Sequence, residues 1–202
     1  LNPRGNDQSP KGYNRAELFS GKALDFDGVN DQIDITTNDL DFGANDFSVT
    51  AIVNWTGAYA DGKLAYAEKN NSGSALAAWQ IRTDPNGSLL FQANIDGLGW
   101  VAVTYVDVLD ILAKGLTHLT FVRVGTGASL YINGQFYSNG TGSIGATLDT
   151  PNGDFVIGNR IGSSNYWNGL ITQYKVFSTA LTAAQVADLY NNPEKVVPTG
   201  VA

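Results

Sequence analysis

Short apolar runs separated by turn residues recur along this chain at intervals of roughly ten residues, a rhythm that restricts it to an antiparallel sandwich or barrel. The run from Phe47 to Trp55 shows the unit. Phe47, Val49, Ala51, Val53 and Trp55 fall on one face and Ser48, Thr50 and Asn54 on the other, which predicts a central strand with period-two burial. Trp79–Thr83 and Leu89–Ile95 flank Asp84-Pro85-Asn86-Gly87. Proline presets such a turn and Asn-Gly accepts positive φ, so the pair predicts a hairpin. A second hairpin joins Leu130–Ile132 to Gln135–Tyr137 through Asn133-Gly134, a two-residue loop whose twist matches that of the strands. Thr182-Ala183-Ala184-Gln185 fits a capping box, with Val186, Leu189 and Tyr190 following at helical spacing. One short helix is therefore expected to close the domain, and no other segment reads as strongly helical.

A chain of 202 residues is long enough to bury a full two-sheet core as one domain. Residues 1–22 lack sustained alternation and read as an extended N-terminal arm, 23–190 as the sandwich, and 191–202, with Pro193 and Pro198, as a C-terminal tail. The balance of 12 basic and 19 acidic residues, net -7, repels phosphate and argues against nucleic acid as a partner. No apolar run approaches the roughly 20 residues that cross a bilayer, so membrane insertion is not expected. Cysteine is absent, which removes disulfides, thiolate chemistry and cysteine zinc sites together. Methionine is absent too, so the chain is expected to be a processed product, a fragment, or a chain read without its first residue.

Four blocks, in order, resemble the laminin-G-like, concanavalin-A-like jelly-roll superfamily. Ala23 to Ile35, with Phe26-Asp27-Gly28 and Asp31, is similar to its first strand. Phe47–Val53 and Leu116–Val122 resemble two inner strands, the latter leading into Ser129–Gly134. Phe155-Val156-Ile157-Gly158, Trp167-Asn168-Gly169-Leu170-Ile171 and Lys175–Thr182 resemble its ending. The resemblance implies an all-β, two-sheet antiparallel jelly-roll sandwich, six or seven strands in each sheet, with one short C-terminal helix. It leaves function open, because the fold hosts lectins, adhesion modules, glycosidases and structural domains.

Catalysis finds little support in the residues. A retaining glycosidase needs two carboxylates about 5 Å apart, and the three glutamates, Glu17, Glu68 and Glu194, form no such motif. A lyase would need a base beside a charge-neutralising group. His118, the only histidine, reads instead as structural, and Gln173-Tyr174-Lys175 has suitable chemistry without the longer motif of alginate-lyase-like relatives. Calcium, held by oxygen ligands, is one reading of the turn carrying Asp27, Asn30 and Asp31; the other is an ordinary Asx-rich turn bonding its own backbone. For carbohydrate, aromatic platforms flanked by planar amides are wanted, and Asn165, Tyr166, Trp100 and Tyr59 are the candidates, with Trp167 read as packing. The expected function is non-catalytic binding of a glycan or surface protein, outside the cell, at a cell surface or on a virus particle. The alternative is a structural module assembling with copies of itself, or with other virion subunits, through the arm.

Overall fold

The computed structural model describes residues 23–36, 40–57, 61–68, 77–95, 99–148, 154–159 and 165–200, with side chains omitted at 66–68 and 77. Two antiparallel sheets face each other. The six-stranded sheet runs in the order β1 (Leu24–Asp27), β13 (Asn168–Phe177), β3 (Phe47–Val53), β8 (Thr117–Val124), β9 (Gly127–Ile132), β10 (Gln135–Ser138). The seven-stranded sheet runs β11 (Thr141–Gly142), β7 (Gly99–Tyr105), β6 (Leu89–Ile95), β5 (Ala77–Thr83), β4 (Lys63–Glu68), β12 (Phe155–Ile157), β2 (Ile33–Ile35).

Alternation aims one side of every long strand at the other sheet. Phe47, Trp79, Phe91, Phe121 and Phe155 meet there, with ring centroids from Phe47 to Trp79, Trp79 to Phe91, and Phe91 to Phe121 at 5.4, 6.0 and 5.9 Å. Each is essentially buried, and burying such a side chain stabilises by about 1.5–3 kcal/mol.

Both expected hairpins form. Thr83 opposes Leu89, and Asp84 Oδ1 accepts the N–H of Asn86 and of Ser88, each at 2.9 Å. In the second, Ile132 opposes Gln135 and both turn residues take positive φ, Asn133 at 51° and Gly134 at 77°. A Cβ on Gly134 would also lie 2.8 Å from the Cβ of Tyr190, so glycine is required twice over.

Three expectations need correction. The block from Ala23 to Ile35 is two strands in different sheets, because Gly28 (φ 76°) turns the chain between β1 and β2. A second helix, α1 (Leu109–Leu112), is present, held by burial of Leu109 and Leu112 and not by a side-chain cap. The polar face of β3 is also buried, along with the apolar one. It is sealed by the closing helix α2 (Ala183–Asn191), whose Thr182 capping box forms as expected.

That outer face of the six-stranded sheet is covered where α2 crosses it. Val122, Phe177, Leu181, Val186 and Leu189 form a small second core. Ser48 Oγ donates to Thr179 O and accepts from Leu181 N, both at 2.9 Å. Thr50 Oγ1 donates to Leu119 O at 3.0 Å; it accepts from Thr120 Oγ1 at 3.1 Å and lies 2.9 Å from His118 Nε2, beneath the Tyr190 ring at 5.9 Å. The tail, read from sequence as extended, folds back on α2: Lys195 Nζ and Thr199 N–H donate to Asp188, each at 2.8 Å to Oδ2.

Candidate functional site

The outer face of the seven-stranded sheet is built by the same alternation and carries no helix among the described residues. Register sets its rows. Lys63, Arg82, Leu90, Thr104 and Thr141 lie across β4, β5, β6, β7 and β11, Gln80, Gln92 and Ala102 form the next row, and Asn94 opposes Trp100 beyond it. Their neighbours Trp79, Ile81, Phe91 and Val103 point into the core, so each polar residue here is forced outward by an apolar one beside it.

These polar groups bond one another. Lys63 Nζ donates to Asp61 Oδ1 at 2.5 Å, and Arg82 Nη1 approaches the same oxygen at 3.3 Å. Arg82 Nε and Gln80 Nε2 both donate to Gln92 Oε1, at 2.6 and 2.9 Å. Arg82 Nη1 also donates to Thr83 O at 3.2 Å. Gln80, only 5% exposed, keeps its Oε1 without a partner among the described residues, a cost of about 1–3 kcal/mol that a hydrogen-bonding ligand or water would relieve. Lys63, Leu90, Asn94 and Val156 are buried on this face, while Gln92, Ala102, Thr104 and Arg82 remain partly accessible. Trp100 is 40% exposed.

Of the residues singled out from sequence, Asn165 joins this network. Its Nδ2 donates to Asp61 O at 3.2 Å and its carbonyl accepts Lys63 N–H at 3.0 Å. Tyr166 follows, half-buried. Trp100 lies on the same face but at its far end. Four residues along β7 and three strands across from Lys63, at about 3.3 Å per residue and about 4.8 Å per strand, it stands roughly 20 Å away. Asn165 and Trp100 therefore stand far apart and do not enclose a single hollow. Tyr59 lies outside the described residues. Trp167 is buried; its Nε1 donates to Asn54 O at 3.1 Å and its ring packs 4.8 Å from Trp55.

At the turn considered for calcium, Asp27 Oδ1 accepts Val29 N–H at 2.7 Å and Asn30 N–H at 3.3 Å, while Asp31 Oδ2 accepts Asp27 N–H at 2.9 Å. This is the self-bonded Asx arrangement. Among the described residues no group of three His, Cys, Asp or Glu side chains is placed to hold a metal ion. Of Gln173, Tyr174 and Lys175 only the tyrosine leaves the group: Gln173 takes φ 51° in a bulge of β13, Lys175 Nζ donates to Gln173 Oε1 and Pro193 O, and Tyr174 packs towards Phe155 at 5.8 Å. Burial raises the Tyr174 hydroxyl pKa well above its ordinary range, against a role as a base. Glu194 is exposed on the tail and bonded to Gln173; Glu17 and the Glu68 side chain lie outside what is described. No described helix is long and apolar enough to cross a membrane.

Sequence reading missed Gln80, Arg82, Gln92, Lys63 and Asp61. A signal existed for the first three: in the hairpin across Pro85, Gln80 and Arg82 alternate with Trp79 and Ile81, and Gln92 alternates with Phe91 and Ala93. Polar residues at the same phase on paired strands must share a face.

A laminin-G family model, described as the concanavalin A-like lectin/glucanases superfamily, matches residues 27–187. No match was found among curated proteins. Among solved structures, the chain is similar to domain 4 of AbnA, a GH43 extracellular arabinanase from Geobacillus stearothermophilus in complex with arabinotriose: 21% identity, TM-score 0.62, covering 83% of this chain and 76% of that one. It is also similar to the binding domain of Paraclostridial Mosquitocidal Protein 1, at 16% identity and TM-score 0.61, covering 85% and 43%. Domains LG4-5 of the mouse laminin α1 chain match at 14% identity and TM-score 0.55, covering 79% and 44%. This chain thus spans less than half of the toxin and laminin structures, and at these identities the likeness is one of fold.

Proposed function

The chain belongs to the concanavalin A-like lectin/glucanase superfamily, and from that membership we propose that it is a non-catalytic carbohydrate-binding domain acting outside the cell, with the outer face of the seven-stranded sheet as its binding surface. The observation that carries the reading is the exposed indole of Trp100 on a sheet face that also carries the amides of Gln80 and Gln92 and the guanidinium of Arg82. An aromatic plane offers a surface for the apolar face of a sugar ring, and fixed planar polar groups satisfy its hydroxyls. Gln92 and Arg82 supply donors that are already oriented by their mutual bond at 2.6 Å, so little side-chain entropy remains to be lost on binding. Asn165, bonded to Asp61 at the other end of the face, extends it enough for an oligosaccharide in place of a single sugar.

Two features favour binding over turnover. Of the described carboxylates on this face, Asp61 is occupied by Lys63 and Arg82 and Asp34 accepts from Gln32, and Tyr174 is turned away from Gln173 and Lys175. Similar domains whose names describe binding or a bound sugar accompany this reading. The test is a glycan array run with and without calcium, headed by arabino-oligosaccharides because of the arabinanase likeness, followed by titration of any hit against Trp100→Ala. Binding weakened by about tenfold on loss of the ring supports the site. Silence of the folded protein on the whole array overturns the function, and binding untouched by the substitution overturns the site. Loss of binding on chelation would bring calcium back, with the turn at Asp27, Asn30 and Asp31 as the first place to substitute.

A further inference from the structure

One residue sets the hydrogen-bond polarity of the open face. A guanidinium nitrogen can only donate, so the Gln92 atom that meets Arg82 Nε at 2.6 Å is the amide oxygen. That oxygen also faces Gln80, which therefore offers it Nε2, at 2.9 Å. The Gln80 oxygen is left buried and without a partner among the described residues, out of a ligand's reach. The Gln92 oxygen is used by both neighbours, so what Gln92 keeps for a ligand is Nε2, which donates and cannot accept.

Arg82 repeats the pattern. Its Nη1 donates to Thr83 O at 3.2 Å and lies 3.3 Å from Asp61 Oδ1, while its Nη2 makes no hydrogen bond among the described residues. In the planar fork Nη2 lies on the same edge as Nε, so it points to the Gln92 side and away from Asp61. Asp61 offsets the guanidinium only in part, because it is shared with Lys63 Nζ at 2.5 Å. The face's other described carboxylate, Asp34, is on β2, separated from β5 by β12 and β4, at least about 14 Å away. Trp100 is one strand across and two residues along from Gln92, about 8 Å and so within reach of one short glycan. Asn94 and Thr104 can donate or accept and set no preference.

Resting on the carbohydrate-binding reading of this face, we propose that its ligand is an acidic glycan. A uronate carboxylate lies across Arg82 Nη2 and Gln92 Nε2, and a ring of the same chain packs on Trp100. A carboxylate presents coplanar acceptors that carry no hydrogen, and its hydrogen bonds to a guanidinium are about twice as strong as neutral ones. The net charge of -7 does not forbid this, because exposed charges more than about 8 Å away are largely screened at physiological salt.

The test sets oligogalacturonate and oligomannuronate against the same oligosaccharides carboxyl-reduced to neutral sugars, with a sulfated glycan and the neutral glycans of the array alongside. A uronate form is expected to bind about tenfold tighter than its reduced counterpart, and to lose part of that margin in high salt. Gln92→Glu keeps an acceptor for Arg82 and Gln80 but removes the outward donor and puts a negative charge beside the bound carboxylate. It should erase the tenfold preference while leaving the denaturant midpoint unchanged or raised. Equal binding of acid and reduced forms, or binding confined to neutral glycans, overturns the acidic ligand and leaves the carbohydrate-binding reading standing. Silence towards every glycan overturns both. Binding confined to the sulfated glycan overturns the carboxylate, and a preference that survives Gln92→Glu overturns its placement.

Discussion

The two outer faces of the sandwich are made by the same rule and finished in opposite ways. On the six-stranded sheet, Val122, Phe177, Leu181, Val186 and Leu189 close a second core under α2, and the polar residues between them, Thr50, Thr120 and His118, bond one another. On the seven-stranded sheet no described helix lies on the face. Gln80, Arg82 and Gln92 bond in a chain that ends in an unpartnered oxygen, and Trp100 faces solvent. A face covered by a helix and a second core contributes stability, and one left with an uncovered polar network and an exposed ring is free to recognise something.

Substitutions that separate stability from binding put this contrast at risk. The largest effect is expected from Leu189→Ala on the closed face. It empties a fully buried site and should cost about 2–4 kcal/mol in denaturant unfolding, with glycan affinity of the remaining folded protein unchanged. Trp100→Ala on the open face should do the reverse, lowering affinity by up to about 1.5 kcal/mol while shifting stability by less than about 0.5 kcal/mol. If Trp100→Ala instead unfolded the protein, the two faces would not differ as described. Thr182→Ala removes the acceptor of Gln185 N–H at the start of α2 and should cost about 1 kcal/mol, seen as faster amide exchange across Ala183–Asn191.

The smallest effect concerns pH and belongs to the closed face alone. The Lys195 ammonium, followed by the Thr199 N–H, holds the Asp188 carboxyl far below its ordinary range. A depressed folded-state pKa gives stability that is complete above the unfolded value near 3.8 and is lost as the pH falls towards the folded one. The tail should therefore stay docked at neutral pH and loosen only in strong acid, by about a few tenths of a kcal/mol because the partly exposed Lys195–Asp188 pair is screened by solvent. Amide exchange at Thr199 against pH reads it, and loosening already at pH 6 would contradict the assignment.

Much of the closed face was legible because its determinants are local. Thr182 and Gln185 are three residues apart, and Asn133-Gly134 needs only its own φ angles. The burial of Ser48 and Thr50 was not legible, since it depends on α2 folding back across more than 130 positions to reach them. α1 escaped notice for a related reason: with no side-chain cap, its four residues are held by the core they enter. On the open face, Asn165 and Trp100 were recognised by residue type, yet their separation is a product of register accumulated over several strands.

Composition and period by themselves determined that this chain would be an antiparallel sandwich, where its two hairpins turn and where its last helix begins, because each depends on neighbours within a few residues. Tertiary structure alone decided which sheet each strand joined, that one outer face would be sealed and the other left open, and that Asp61, Lys63, Arg82 and Gln92 would meet. Those outcomes depend on strand order and register, and contacts between residues far apart in the chain exist only once the whole sheet has closed.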